Sequence, residues 1–120
     1  MNNDKFLISR YMKEFINNID KVIINIPNKD KIIKDKLYGT SYNILYLIFK
    51  ANYTTNKLIR YNICLDILAS INMLNFYLER CYINKYLSKK QVFNRIDKLD
   101  IIIKMVYRWM NKWSLILISY

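Results

Sequence analysis

Residues 71–99 of the chain read INMLNFYLERCYINKYLSKKQVFNRIDKL, and this stretch decides the fold. In its first half, apolar residues recur at intervals of three and four, which is the spacing of one helix face. A second series with the same period begins at Phe93 and continues through Ile96 and Leu99. Between the two series, Ser88 and Gln91 have the spacing of a capping box, in which each side chain accepts the backbone N–H of the other residue. The stretch therefore predicts two long helices joined by a short turn.

Two further breaks divide the rest of the chain, at Ile26-Pro27-Asn28-Lys29 and at Asn52-Tyr53-Thr54-Thr55. Each remaining segment has apolar residues at helical spacing, so we expect four helices over about 4–25, 30–51, 55–86 and 89–113. We expect Asp4 to cap the first helix, Pro27 to end it, and Thr54 or Thr55 to cap the third. Loops this short join antiparallel neighbours. The predicted fold class is therefore all-α, an antiparallel up-down-up-down four-helix bundle that forms a single domain over residues 1–120.

The inner face of each predicted helix follows from the same spacing. The expected core residues are Ile8, Tyr11, Met12, Phe15, Ile19, Val22, Ile23 and Ile26; Ile33, Leu37, Ser41, Ile44, Ile48 and Ala51; Ile59, Ile63, Ile67, Ile71, Leu74, Leu78 and Cys81; and Phe93, Ile96, Leu99, Ile103, Val106, Met110 and Trp113. Other apolar residues lie outside these faces, namely Leu45, Leu47, Phe49, Ile102, Met105 and Trp109. Because a four-helix monomer has one seam to bury, this surplus indicates an oligomer, unless the side chains simply cover the surface of the bundle.

The composition excludes several classes of protein. One Gly and one Pro are too few for the many tight turns of a β-sandwich or barrel. A hydrophobic content of 53% is too high for intrinsic disorder. No His is present, which removes His-based zinc sites, catalytic triads and His general bases, and one Gly cannot build a phosphate-binding loop. We therefore expect no catalytic residues, no metal site and no cofactor, and we expect that the protein is not an enzyme.

The formal net charge is +11, from 20 Lys and Arg against 9 Asp and Glu. An AT-rich genome favours Lys codons, but it favours Glu codons as well, and Glu occurs only at Glu14 and Glu79. Base composition therefore does not explain the shortage of Glu. A charge of this size on a small chain predicts attraction to polyanions, with nucleic acid first and an anionic membrane second.

The basic residues fall into three clusters along the sequence. A stripe on the last helix recurs every four residues, where the helix macrodipole or pairing with Asp100 would also explain the cations. A second cluster, Lys29, Lys31, Lys34 and Lys36, surrounds a helix start, where the macrodipole disfavours cations. The third surrounds the last turn, beside tyrosines that could stack on bases. The residues predicted to contact nucleic-acid phosphates are Arg80, Lys85, Lys89, Lys90, Lys104, Arg108 and Lys112.

The two cysteines and the lengths of the apolar runs indicate the cellular compartment of the protein. Cys64 and Cys81 lie on one predicted helix, too far apart for a disulfide, so we interpret them as free thiols that serve as small core hydrophobes in a reducing compartment. The longest uninterrupted apolar run, residues 44–49, is far shorter than the ~18 residues of a membrane span. The N-terminus has no apolar signal core. We expect a cytoplasmic protein that does not bind a membrane.

Several short motifs occur in the order in which a known family has them. They are Ile26-Pro27-Asn28-Lys29, Leu37-Tyr38-Gly39-Thr40 with the apolar run to Phe49, Met73-Leu74-Asn75-Phe76-Tyr77-Leu78, Leu87-Ser88-Lys89-Lys90-Gln91, and the closing Leu99 to Trp109. Through these motifs, the stretch from Tyr11 to Trp109 resembles the small four-helix-bundle proteins that include the ribosomal-RNA intervening-sequence proteins and the accessory variability determinant (Avd) of diversity-generating retroelements. The chain departs from these relatives at residues 105–109, where they often carry Gly before the Trp, and in its apolar tail.

The resemblance implies a homopentameric barrel with a basic surface. Such a protein binds a reverse transcriptase and the template RNA, with DNA or an RNA/DNA hybrid as further ligands, and supports mutagenic complementary-DNA synthesis without itself being an enzyme. Three other functions stay open: a generic four-helix RNA-associated protein of the intervening-sequence type, a protein–protein adaptor, and a peripheral membrane protein.

Overall fold

The computed structural model describes residues 4–118, and the side chains of residues 7–111 within them. Over that range, the chain forms four long helices: α1 (Asp4–Ile23), α2 (Lys31–Tyr53), α3 (Lys57–Ile83) and α4 (Lys89–Ile118). A single turn of 3₁₀ helix, Asn28–Asp30, precedes α2. The bounds lie within three residues of the predicted ones, except that α4 continues five residues further.

The four helices pack side by side in a square. Each helix contacts the next one in the sequence, and α4 closes the square by contacting α1, whereas the diagonal pairs are apart in the described residues. Helices joined by loops of three to seven residues and packed against each other run antiparallel. The bundle measures 52 × 22 × 21 Å, and none of residues 4–118 forms a strand. The predicted four-helix bundle is confirmed.

All four helices contribute to one continuous apolar core. Trp109 of α4 and Phe15 of α1 are the largest fully buried side chains. Most of the predicted core residues are buried or packed at its edge. Trp113 lies outside the described side chains. Arg95 is the one buried cation among side chains 7–111, and it donates to the backbone oxygen of Gln91 at 3.1 Å and, at 3.5 Å, to that of Asn18 on α1.

Two predicted core residues are wrong, because Ile59 is 51% exposed and Phe93 is 50% exposed. Near the start of α3, Arg60 takes the inward position, with its guanidinium 5.9 Å from the ring of the buried Trp109. Near the start of α4, the inward residue is Val92, one position earlier. Both helices carry apolar residues on more than one side, so their spacing does not identify the inward side of the first turn.

The exposed apolar residues lie only in part where the sequence predicts them, since Phe49 of α2 is exposed as expected. Ile102, Met105 and Trp109 of α4 are buried core residues rather than surplus. The apolar residues that remain exposed concentrate on the sides of α2 and α3 that point away from the core, which we call the α2–α3 outer face. Its members are Tyr42, Tyr46, Phe49 and Tyr53 on α2, and Leu58, Leu65, Met73, Phe76 and Ile83 on α3.

The capping box between α3 and α4 is confirmed. The Ser88 N–H donates to Gln91 Oε1 at 2.8 Å, and the Gln91 N–H donates to Ser88 Oγ at 3.1 Å. The cap predicted for α3 is wrong, because Asn56 rather than a threonine accepts the Ile59 N–H, at 3.0 Å. The Thr54 hydroxyl is engaged in the preceding turn, where it donates to a carbonyl at the end of α2.

The first helix ends earlier than the proline that was expected to end it. The last residue of α1 is Ile23, and the N–H groups of Asn25 and Ile26 close tight turns onto the carbonyls of Val22 and Ile23. Pro27 is extended and precedes the 3₁₀ turn. A proline keeps the residue before it out of the helical region, so the helix has to stop upstream of Ile26. At its other end, the structure describes α1 from Asp4 onward, and the cap predicted at Asp4 lies outside the described side chains.

Gly39 lies in the middle of α2 without a packing reason in this chain. No atom lies within 4 Å of the position that a Cβ would occupy there, so no close helix approach in the described part of the bundle requires glycine. We expect Gly39→Ala to raise the free energy of unfolding by about 1 kcal/mol, because glycine loses more backbone entropy in a helix interior. Urea unfolding followed by circular dichroism measures the change, and a lower midpoint would contradict the open space around Gly39.

Candidate nucleic-acid interface

A hydrogen bond joins two of the loops at one end of the bundle. The hydroxyl of Tyr86, in the loop after α3, donates to Asp30 Oδ2, in the loop before α2, at 2.8 Å. This hydrogen bond raises the pKa of Tyr86 above its ordinary value, so the hydroxyl keeps the proton that it donates. The first and third loops of an up-down bundle lie at the same end, and the bond holds these two together. We call residues 24–36 and 79–90 the paired-loop end.

The paired-loop end unites two basic clusters that are distant in the sequence. Lys34 is partly buried, with its Nζ donating to Asn28 Oδ1 at 3.0 Å, and the other seven cations are exposed. The eight cations are Lys29, Lys31, Lys34, Lys36, Arg80, Lys85, Lys89 and Lys90. Four of the predicted phosphate-contacting residues, Arg80, Lys85, Lys89 and Lys90, therefore lie in one neighbourhood, together with four lysines that were not in that prediction.

The carboxylates of the paired-loop end leave this charge largely uncompensated. They are Asp30, which accepts the hydrogen bond from Tyr86, Asp35 and Glu79. None of them forms an ion pair with a cation of this end, over the side chains of residues 7–111. Eight cations thus face three carboxylates, so this end carries a formal net charge of +5.

Two helix N-termini point into the same end with lysines in their first turns. α2 begins with Lys31 and α4 with Lys89 and Lys90, and neither helix has an acidic residue in its first turn. The N-terminus of a helix carries about half a positive charge from its macrodipole, so cations there oppose helix formation. The same partial charges and free backbone N–H groups favour a bound anion. These lysines are therefore not explained by helix stability, whereas an anionic ligand would explain them.

Lys85 adopts a backbone conformation that usually belongs to glycine. Its φ is 64°, and it is the one described non-glycine residue with a positive φ. It forms a Schellman motif at the end of α3, in which the Lys85 N–H bonds to Tyr82 O at 3.0 Å and the Tyr86 N–H bonds to Cys81 O at 2.9 Å. A lysine here costs about 1–2 kcal/mol of local strain. A lysine thus occupies a position in the paired-loop end where the backbone conformation favours glycine.

The remaining predicted residues lie toward the opposite end of the bundle. Lys104 and Arg108 are exposed on α4, about 21–27 Å along the helix from Lys90 at 1.5 Å per residue. An ion pair between Lys104 and Asp100, the alternative explanation for this cation, is not formed. The backbone of Lys112 continues α4, and its side chain lies outside the described ones. The seven predicted residues therefore form two separate groups rather than one interface.

The two cysteines are both buried in α3 and free, as predicted. Burial raises the pKa of Cys64 to about 12 and that of Cys81 to about 11, so both thiols are protonated at neutral pH. A protonated, buried thiol is neither a nucleophile nor a metal ligand. Over the described residues, no three or more His, Cys, Asp or Glu side chains come together as metal ligands.

Comparisons with known proteins return no match: no family model, no curated protein and no solved structure is similar to this chain. Among the helices of residues 4–118, none is long and apolar enough to cross a bilayer.

The strain at Lys85 can be measured directly. We expect Lys85→Gly to raise the free energy of unfolding by up to about 1 kcal/mol, because glycine adopts a positive φ without steric cost but loses more entropy on folding. Lys85→Ala is the matched control, since it removes the same charge and keeps the strained backbone. Equal unfolding midpoints for the two variants would show that charge repulsion, and not the conformation, sets the stability of this turn.

Proposed function

We propose that this chain is a non-enzymatic nucleic-acid-binding accessory subunit of a diversity-generating retroelement. In this role it binds template RNA through phosphates and binds a reverse transcriptase on another surface, in support of mutagenic complementary-DNA synthesis. The reverse transcriptase and the retroelement rest on the resemblance of Tyr11–Trp109 to the Avd proteins. The nucleic-acid ligand rests, in addition, on the charges of the bundle.

One observation carries the nucleic-acid part of the proposal. Two helix N-termini and eight cations converge at the paired-loop end, where three carboxylates oppose them without forming ion pairs. Lysines in first turns and a lysine at positive φ both oppose folding locally. When a polyanion is bound, the same lysines stabilise the folded chain, because the helix N-termini and the lysines attract the polyanion together. The contacts expected are to phosphates, so binding will depend steeply on salt and little on sequence.

The same proposal includes a homo-oligomer, which the α2–α3 outer face supports. Between Lys36 and Lys50, α2 has no charged residue, and α3 has none between Asp66 and Glu79. This uncharged band extends about 20 Å along each helix at 1.5 Å per residue and exposes tyrosines of α2 together with Met73 and Phe76 of α3. Exposed apolar side chains concentrated on two helices in this way are typical of a surface that another protein covers. The number five comes from the family resemblance.

Binding to RNA is tested with a fluorescently labelled single-stranded 20-mer over a series of salt concentrations. We expect a steep log–log dependence of affinity on salt. The triple variant Lys85→Gln, Lys89→Gln, Lys90→Gln should bind at least about tenfold more weakly, with a slope that is shallower by about 2, because three phosphate contacts are lost. The variant should fold at least as stably as the wild type, since it removes cations from the start of α4.

A matched control removes the same charge elsewhere. Lys13→Gln, Lys50→Gln, Lys98→Gln takes three lysines from outside the paired-loop end and should weaken binding less than the first triple variant does. Equal losses in the two variants would show that net charge alone attracts RNA. A salt slope near zero for the wild type would contradict nucleic-acid binding and favour the protein–protein adaptor.

The oligomer is tested by the mass of the native particle. We expect a multiple of the 14.7 kDa chain, and five chains if the resemblance holds in full. Leu65→Lys combined with Phe76→Lys should give monomers, because both exposed side chains lie on the α2–α3 outer face. Ile24→Lys, at an exposed apolar residue outside that face, should leave the mass unchanged. A wild-type particle of one chain would contradict the oligomer.

A further inference from the structure

A groove between α1 and α4 lies away from the paired-loop end and has no role so far. Its volume is about 560 Å³, which is in the range of small-ligand sites, about 300–1,000 Å³. Its wall is apolar and aromatic, and two cations stand at its rim. The residues that matter are Leu7 and Tyr11 of α1 and Ile101, Lys104, Tyr107 and Arg108 of α4.

The two cations of the groove are free to hold an anion. Lys104 and Arg108 are one helical turn apart, about 6 Å along the axis, so both project along the same rim. Neither forms an ion pair, and no carboxylate lines the groove, over the side chains of residues 7–111. Glu14, in the cavity next to it, is paired with Arg10 at 3.7 Å. The groove therefore combines an apolar wall with positive charge that its own residues do not neutralise.

The wall of the groove is open enough to take a planar ring. Tyr107 is 52% exposed and Ile101 is 47% exposed, and Tyr11 is partly exposed on the facing helix. An exposed tyrosine offers one face of its ring, on which any nucleobase can stack. An acyl chain would stay half in water on such an open wall, whereas a base that stacks on one face gains contact area without being enclosed.

We propose that this groove binds an unstacked base of a single-stranded nucleic acid, with Tyr107 as the stacking surface and Lys104 and Arg108 holding the neighbouring phosphates. The inference rests on the proposed nucleic-acid function and adds selectivity to it. A duplex keeps its bases stacked and paired, so it can satisfy the cations but not the tyrosine. The chain then prefers single strands, while the paired-loop end contacts phosphates of either form.

The experiment compares two labelled 12-mers that have the same phosphates, one with bases throughout and one with abasic positions throughout its central eight nucleotides. We expect the full-length wild-type chain to bind the base-containing strand about tenfold more tightly, which is in the range for one stacked base. Tyr107→Leu should abolish this difference, and Tyr107→Phe should keep it, because phenylalanine retains the ring. Phe93→Leu is the control, because it removes an exposed ring of α4 that lies outside both the groove and the α2–α3 outer face.

The outcomes separate this inference from the proposed function. Equal affinity for the two strands, with a steep salt dependence, would overturn the base-binding groove and leave nucleic-acid binding intact. No binding of either strand would overturn both. Vesicles of phosphatidylcholine with phosphatidylserine are a further probe, and binding to them that is lost in Tyr107→Leu, without any preference for the base-containing strand, would assign the groove to a lipid and overturn the inference.

Discussion

Burial of one apolar side on each of four helices is the constraint from which the rest of the structure follows. Short loops can satisfy it only if the chain reverses at every turn, so loops alternate between the two ends of the bundle. The first and third loops then share an end, and α2 and α4 both begin there. The packing of the core therefore brings the lysines of two distant segments together at one end. The hydrogen bond from Tyr86 to Asp30 completes the contact between the loops.

Features that oppose folding are concentrated at that same end. The lysines in the first turns of α2 and α4, and the strained backbone of Lys85, each lower the stability of the free chain. The continuous core, which includes Phe15 and Trp109, is large enough to hold the bundle together despite them. A ligand that binds only the folded chain stabilises it, and the gain in free energy grows with the logarithm of the ligand concentration relative to the dissociation constant. An anion bound at the paired-loop end would therefore offset these local costs.

Much of the fold could be predicted from the sequence because its signals are local. The capping box of Ser88 and Gln91 needs only four residues, and the four helices follow from apolar spacing within each segment. Ile59 and Phe93 were placed wrongly because α3 and α4 are apolar on several sides, so the choice of inward side depends on neighbouring helices. The asparagine cap of α3 was missed because three polar residues in a row, 54–56, all have capping side chains.

The two candidate sites also differ in how far the sequence alone could predict them. Each lysine cluster is visible in the sequence, and the up-down topology places two of them at the same end of the bundle. The groove depends on which residues of α1 face which residues of α4, and no spacing along one helix contains that register. Tyr107 consequently gave no signal of its own and Tyr11 was predicted only as a core residue, while Lys104 and Arg108 were predicted to contact phosphates.

The protonated state of the two thiols has a practical side. The sequence contains two cysteines, and both are buried in α3 with pKa values several units above neutrality. Maleimides and other alkylating reagents react with exposed thiolates, so the folded wild-type chain is close to inert toward them. A cysteine introduced at an exposed position can then be labelled selectively without first replacing the native pair. The bundle is in this sense ready for distance measurements with fluorophores or spin labels, with its core left intact.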